Sequence, residues 1–135
     1  MGAVTPTCLA LVLCEAVERP SRGGEASVLR AFEYFEAAKL PGTVQPFTVW
    51  MQLRDGNGVA LMTLVMEYLP PDDLAPVEIL AAKFSLAFTS PNVAVEHEAI
   101  MENIEFKEAG RYRLRLLANG VPVMARDFTV ALAPK

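Results

Sequence analysis

The sequence predicts an all-β protein, an antiparallel β-sandwich of about eight strands and of the Ig-like or C2-like type. Two observations predict this class. Short segments of apolar or alternating residues recur along the chain, and turn-forming residues separate them at the spacing seen in sandwiches. The chain then closes in a C-terminal hairpin at Asn119-Gly120, the dipeptide that most readily forms a type I′ turn. A lone hairpin is marginal in water, so it needs further strands beside it and a second layer beneath it.

The first strand of that hairpin has two different faces. Three apolar residues alternate with three arginines, namely Tyr112, Leu114 and Leu116 with Arg111, Arg113 and Arg115. Because successive side chains of a strand point to opposite faces, we expect the apolar three in a core shared with strand 7–17 and the arginines on the outer surface. The return strand contains Pro122, which has no N–H to donate, so that position should be unpaired or at a sheet edge.

Six further strands are predicted before the hairpin, at residues 7–17, 28–35, 47–53, 59–69, 77–88 and 93–101. The first is apolar almost throughout, as is typical of a strand covered on both faces. The third alternates, with Trp50 on the face opposite Phe47, Val49 and Met51. The tight connection at 55–58 predicts that residues 47–69 form a second hairpin.

The segment around 28–39 is ambiguous between helix and strand. The spacing of Val28, Leu29, Phe32 and Phe35 suits an amphipathic helix, and local propensity favours it. Residues 28–35 also suit a strand with two aromatic rings on one face, and the segments on either side have strand patterns. We predict a strand there.

Length and composition indicate one domain, residues 1–135. The N-terminal run and the two cysteines indicate a cytoplasmic protein. The formal net charge of −4 gives no electrostatic footprint for nucleic acid and little attraction to an anionic membrane. No Lys or Arg precedes Arg19, so the apolar N-terminal run lacks the basic start of a signal peptide. If Cys8 and Cys14 share a strand they lie roughly 20 Å apart, too far for a disulfide, and we expect buried free thiols.

No catalytic or metal-binding constellation is evident. The one histidine, His97, lies between Glu96 and Glu98, and in a strand the two carboxylates face away from it. Acidic turn residues occur at 55–57 and 72–73, but these turns lie at opposite ends of one predicted strand, so they cannot share a calcium ion. We expect a protein that is not an enzyme, with no cofactor and no metal.

The composition favours an interaction module. Hydrophobic residues make up 53% of the chain, which is rich for a soluble monomer and indicates that part of the excess covers a partner surface. We expect self-association, for instance as a homodimer, or binding to a protein partner through an apolar face or a sheet edge. The candidate interaction surface comprises Trp50, Tyr68, Arg111, Arg113 and Arg115. The alternative is a protein that binds a small molecule or carbohydrate in a pocket lined by apolar and aromatic residues.

The order of several short motifs resembles the DUF6941 type, a family of small bacterial proteins of unknown function. The matching motifs are Leu13-Cys14-Glu15, Leu29-Arg30-Ala31-Phe32, Pro46-Phe47-Thr48-Val49-Trp50, Ile104-Glu105-Phe106, Gly110-Arg111-Tyr112-Arg113-Leu114 and Phe128-Thr129-Val130. The resemblance covers most of the chain and supports a strand at 28–35. Ala31 stands where relatives have a glycine. The resemblance implies no catalytic residues.

Overall fold

The computed structural model describes residues 4–19 and 27–134, which form eleven strands and no helix. The strands are β1 (Thr7–Glu18), β2 (Ser27–Ala31), β3 (Tyr34–Ala37), β4 (Gly42–Thr43), β5 (Phe47–Arg54), β6 (Gly58–Leu69), β7 (Val77–Phe88), β8 (Val95–Met101), β9 (Glu105–Phe106), β10 (Gly110–Ala118) and β11 (Val121–Leu132). The predicted all-β class is confirmed, but the expected number of about eight strands is too low, because 28–37 forms two strands and the short β4 and β9 were not predicted. Among these residues there is accordingly no apolar helix that could span a membrane.

Two sheets form the body of the molecule. The four-stranded sheet has the order β2-β1-β5-β8, and the five-stranded sheet has the order β3-β11-β10-β6-β7. Strands β4 and β9 form a separate two-stranded pair. Both large sheets alternate buried and more exposed residues, and their buried faces meet in one hydrophobic core.

The closing hairpin is confirmed in detail. β10 and β11 are antiparallel, and Asn119 and Gly120 at the turn have the positive φ angles, 49° and 82°, of a type I′ turn. Tyr112, Leu114 and Leu116 are at most 1% exposed, as the alternation predicts. Among the described strands, β11 pairs with β10 alone at Pro122, because β3 joins β11 further along, at 129–132. Pro122 therefore lies on a free edge.

The prediction of a single strand at 28–35 is correct in type but not in extent. The chain forms β2 in one large sheet and β3 in the other, with a break at Phe32 and Glu33. Near the break Arg30 has a φ of 54°, and the N–H of Phe32 donates to the carbonyl of Leu13. β3 then pairs with β11 in parallel, so the expected purely antiparallel arrangement is wrong at this strand.

The prediction that 47–69 is a hairpin is wrong. β5 lies in the four-stranded sheet and β6 in the five-stranded sheet, so residues 55–57 carry the chain across the core. The N–H of Asp55 donates to the carbonyl of Pro91, and Gly56 packs against the ring of Phe88. Each strand has one apolar face to bury, and two strands in facing sheets bury those faces as well as a hairpin does. The short connection was therefore compatible with both arrangements.

Candidate interaction site

The long strand β7 forms one edge of the five-stranded sheet. Eleven of its twelve residues have a partner in β6, and no other described strand pairs with it. Its inner face is apolar, with Leu86 and Phe88 buried, and its outer face carries small residues around one cation, Lys83. An edge strand presents a row of backbone N–H and C=O groups that can pair with another chain. Among the described strands, β7 leaves this row of backbone groups unpaired on one side.

A ring contact joins β7 to the edge of the other sheet. Phe84 and His97 of β8 stack with centroids 4.0 Å apart and planes 6° from parallel. Burial lowers the pKa of His97, because it disfavours the charged imidazolium, and the nearby carboxylate of Glu98 partly opposes this effect. The ring of His97 thus packs between the edges of the two large sheets.

A cavity of about 650 Å³ opens between the start of β7 and the segment that follows β8. Its apolar lining includes Tyr68, Ile79, Leu80, Ile104 and Tyr112. The buried end of the cavity rests on an aromatic cluster, in which the ring of Tyr112 lies 5.1 Å from Tyr68. The cavity is thus contiguous with the hydrophobic core on one side and with the edge of β7 on the other.

The rim of the cavity is acidic. Three exposed carboxylate residues, Glu78, Glu105 and Glu108, line it together with one cation, Lys107. Below the rim, the hydroxyl of Tyr112 donates to the carbonyl of Glu108 over 2.6 Å. Burial raises the pKa of Tyr112, and this hydrogen bond partly opposes the shift. The hydroxyl therefore remains a donor that ties the 105–110 connection to β10.

The three arginines of β10 lie on the outer face, where carboxylates meet them. Arg111 and Arg113 both bind Asp127, at 2.7 and 2.8 Å, and Arg115 lies 3.4 Å from Glu67. The hydrogen bond from Arg113 is the main reason that the pKa of Asp127 is lowered. The predicted cationic stripe is largely neutralised within the protein, which weakens its attraction for a charged partner.

The two aromatic residues of the predicted surface lie apart. Trp50 is half-buried on the outer face of the four-stranded sheet, and its Nε1 is buried without a hydrogen-bond partner among the described residues. Tyr68 lies on the inner side of the five-stranded sheet, against Tyr112. On the same outer face as Trp50, Arg19 binds Glu96 and Glu98, at 2.7 and 3.0 Å. The structure therefore does not bring Trp50 and Tyr68 into one platform.

Neither the thiols nor the acidic turns form a reactive centre. Cys8 and Cys14 are free and buried, and desolvation raises the pKa of both thiols. The acidic residues of the two turns at 55 and at 72–73 have positive φ angles, as turn residues often do. Residues 4–19 and 27–134 contain no group of three or more His, Cys, Asp or Glu that could hold a metal ion.

The sequence did not mark the cavity or the free edge. It predicted β7 as a strand, but Glu78, Ile79 and Ile104 were not among the candidate residues. The one available signal was Lys83, a single lysine in the middle of a largely apolar strand, because isolated lysines are common on edge strands.

Comparison with solved structures finds matches to parts of larger proteins. The chain matches an alkylpurine DNA glycosylase, AlkC of Pseudomonas fluorescens, in a structure with DNA containing an abasic site analog. The TM-score is 0.56 at 10% identity, over 94% of this chain and 30% of the glycosylase. A β-glucosidase from Listeria innocua, in complex with glucose, gives a TM-score of 0.49 at 9% identity, over 90% of this chain and 16% of that chain. The chain thus spans less than a third of either protein, and the glycosylase match shows a shared fold alone.

The sequence itself gives a clearer relationship. None of the curated proteins matches the chain significantly. A family profile described as a family of unknown function, DUF6941, matches residues 9–131, nearly the whole chain. The chain therefore belongs to the DUF6941 family.

Proposed function

We propose that the protein is a non-enzymatic interaction module that binds an extended segment of another protein by strand addition to β7. The observation that carries the proposal is the twelve-residue edge, which pairs on one side only among the described strands. In strand addition, main-chain hydrogen bonds supply affinity and pockets beside the edge supply specificity. The cavity at the start of β7 offers such a pocket.

The charge on β7 favours a different protein over a second copy. The middle of the strand lies between Ala82 and Lys83. A two-fold antiparallel pairing centred on Lys83, next to this midpoint, would place two Lys83 side chains directly opposite each other, and like charges across a strand pair are destabilising. The chain is also acidic overall, with a net charge of −4, as is the rim of the cavity. A neutral or basic strand from another protein can avoid both the repulsion between two Lys83 side chains and the repulsion from the acidic rim.

As part of the same proposal, we assign the fold to the Ig-like type. The orders β1-β5-β8 and β11-β10-β6-β7 correspond to the strands lettered A-B-E and G-F-C-C′ in that fold. A second feature supports the assignment. Tyr112 near the start of β10 donates its hydroxyl to a backbone carbonyl four residues upstream, which is the geometry of a tyrosine corner in strand F.

The placement of the histidine and of the two thiols supports a binding role over catalysis by these three groups. General acid–base work requires a proton-transferring group that substrate can reach. His97 is stacked against Phe84, and both thiols are buried with raised pKa values. Free buried thiols also suit a reducing compartment, so we propose the cytoplasm as the location.

A second candidate function is small-molecule binding in the cavity. Its volume of about 650 Å³ lies within the range of ligand sites, and its lining is apolar with a few polar groups. A small molecule would use the side chains of the lining and would not need the backbone of β7. The two functions therefore differ in whether backbone hydrogen bonds along β7 contribute to binding.

A pair of modified peptides tests strand addition directly. A random 12-residue peptide library displayed on phage is selected on the immobilised full chain, and one selected peptide is synthesised in two N-methylated forms. One form carries methyl groups on the odd-numbered amides and the other on the even-numbered amides. An added strand donates only alternate amides to its neighbour, so one form should lose binding and the other should retain it in isothermal titration calorimetry.

Two outcomes would overturn the proposal. If both methylated forms bind as the parent does, side chains alone hold the peptide and strand addition is wrong. If no peptide is selected and sedimentation equilibrium shows a stable dimer, the β7 edge serves a second copy of the chain and the heterologous partner is wrong.

A further inference from the structure

We infer that the cavity at the start of β7 takes one bulky apolar side chain of the added strand, and that this partner carries Lys or Arg beside that side chain. The inference rests on the proposed function and specifies its partner. Such a segment differs from an arbitrary extended peptide in two respects, an apolar anchor and a positive charge.

The cavity lies at the start of β7, on the inner side of the sheet with Tyr68 and Tyr112 and next to the free edge. Four consecutive residues, Val77, Glu78, Ile79 and Leu80, line it. Side chains of a regular strand alternate between its two faces, so four consecutive lining residues indicate an irregular backbone at this end of β7. The pairing with β6 is also irregular here, since Met66 is opposite Leu80 whereas Glu67 is opposite Glu78. A strand added at this end therefore passes the mouth of the cavity.

The interior of the cavity suits an apolar anchor. Ile79, Leu80 and Ile104 line it, and the rings of Tyr68 and Tyr112 lie at its buried end. An aromatic or long aliphatic side chain entering here would contact aliphatic groups and aromatic rings on several sides. Buried anchors of this kind supply most of the affinity in many protein interfaces.

The rim favours a cation next to the anchor. Glu78, Glu105 and Glu108 surround the opening with only Lys107 to offset them, a local excess of two negative charges. All three carboxylates are exposed and therefore free to meet a partner in solution. Complementary charge across an interface raises the association rate and selects the partner.

The positions of the isoleucines provide the test. The chain has three, of which Ile79 and Ile104 line the cavity, while Ile100 is 67% exposed on the outer face of the other sheet. The probe is the phage-selected peptide, titrated into full-length protein labelled at the isoleucine δ1 methyl groups. We expect the Ile79 and Ile104 signals to shift and the Ile100 signal to stay in place. A control peptide, identical except that its apolar anchor is changed to alanine, should bind at least tenfold more weakly and leave all three signals unshifted.

A matched pair of protein variants tests the charge. Glu105→Gln with Glu108→Gln removes two rim charges, and Glu15→Gln with Glu36→Gln removes two exposed charges elsewhere. The rim variant should bind the peptide about fivefold more weakly at low salt, a loss that 0.5 M NaCl abolishes, and the control should bind as wild type.

The possible failures are separable from those of the proposed function. If one N-methylated peptide loses binding but Ile79 and Ile104 do not shift, strand addition stands and the anchor in the cavity is wrong. If the methyl signals shift but the rim and control variants bind equally, the basic partner is wrong. If both N-methylated peptides bind as the parent does while the isoleucine signals of the protein shift, the cavity is a side-chain or small-molecule site and strand addition is wrong.

Discussion

The hydroxyl of Tyr112 should contribute measurably to stability, and Tyr112→Phe isolates that contribution. The substitution removes one oxygen and keeps a ring that is 1% exposed. It deletes the 2.6 Å hydrogen bond to the carbonyl of Glu108, which joins the β9–β10 connection to the start of β10. The packing of the ring against Phe106 and Phe128 is retained.

The expected loss in the free energy of unfolding is about 1–1.5 kcal/mol. A typical hydrogen bond contributes roughly 0.5–1.5 kcal/mol net, and leaving a partly buried acceptor without its donor moves the cost toward the upper part of that range. For a domain of this size the corresponding fall in Tm is about 3–6 °C. The substitution creates no cavity of note, so a much larger loss is not expected.

Guanidinium unfolding, followed by the fluorescence of the single tryptophan and by far-UV circular dichroism, measures this loss. Trp50 reports on the four-stranded sheet, so coincidence of the two signals checks that unfolding is two-state. The matched control is Tyr68→Phe, since the hydroxyl of Tyr68 makes no hydrogen bond to another described residue. A Tyr112→Phe variant that loses no more stability than Tyr68→Phe would refute the tyrosine-corner argument.

Two further predictions concern His97 and the crossing between the sheets. Burial against Phe84 lowers the pKa of His97 in the folded protein. The imidazole of His97 therefore binds a proton more tightly in the unfolded chain than in the folded protein. Urea titrations should therefore show that the free energy of unfolding decreases as the pH drops below about 6.5. His97→Gln should remove that decrease. An equal decrease in both proteins would contradict this prediction. A Cβ at Gly56 would lie 2.6 Å from the ring of Phe88, whereas a Cβ at Gly58 meets open space at a φ of 70°. Thermal unfolding should show Gly56→Ala losing at least 2 kcal/mol and Gly58→Ala about 1 kcal/mol, and equal losses would show that the crossing tolerates displacement of Phe88.

The strands could be predicted because local patterns determine them. The alternation from Arg111 to Leu116 specifies both a strand and its buried face, and Asn119-Gly120 specifies the turn that follows. The same alternation predicted that the side chain of His97 points to one face of its strand and those of Glu96 and Glu98 to the other. The ion pairs from Arg19 to those two carboxylates are consistent with that placement. In each case the property follows from a few consecutive residues.

The sheet assignments could not be predicted in the same way. The connection at 55–57 contains the residues of a tight turn, yet it joins strands in opposite sheets. A tight turn requires particular φ and ψ angles, and a short crossing can use the same angles. Which of the two forms depends on distant contacts, here with Phe88 and Pro91. The break between β2 and β3 is a similar case, because β3 is held by β11, about ninety residues away in the chain.

The candidate site, like the sheet assignments, depends on contacts between distant parts of the chain. Local sequence motifs therefore do not reveal it. β7 is an edge because the chain after Phe88 crosses to the other sheet and places β8 beside β5 instead of beside β7. No residue within β7 encodes that event. Strand addition uses backbone groups that every non-proline residue carries, so it places little demand on side-chain identity along the edge. Specificity then depends on the few residues around the cavity, and substitutions at Ile79, Ile104 or Glu105 should alter partner choice while the fold is retained.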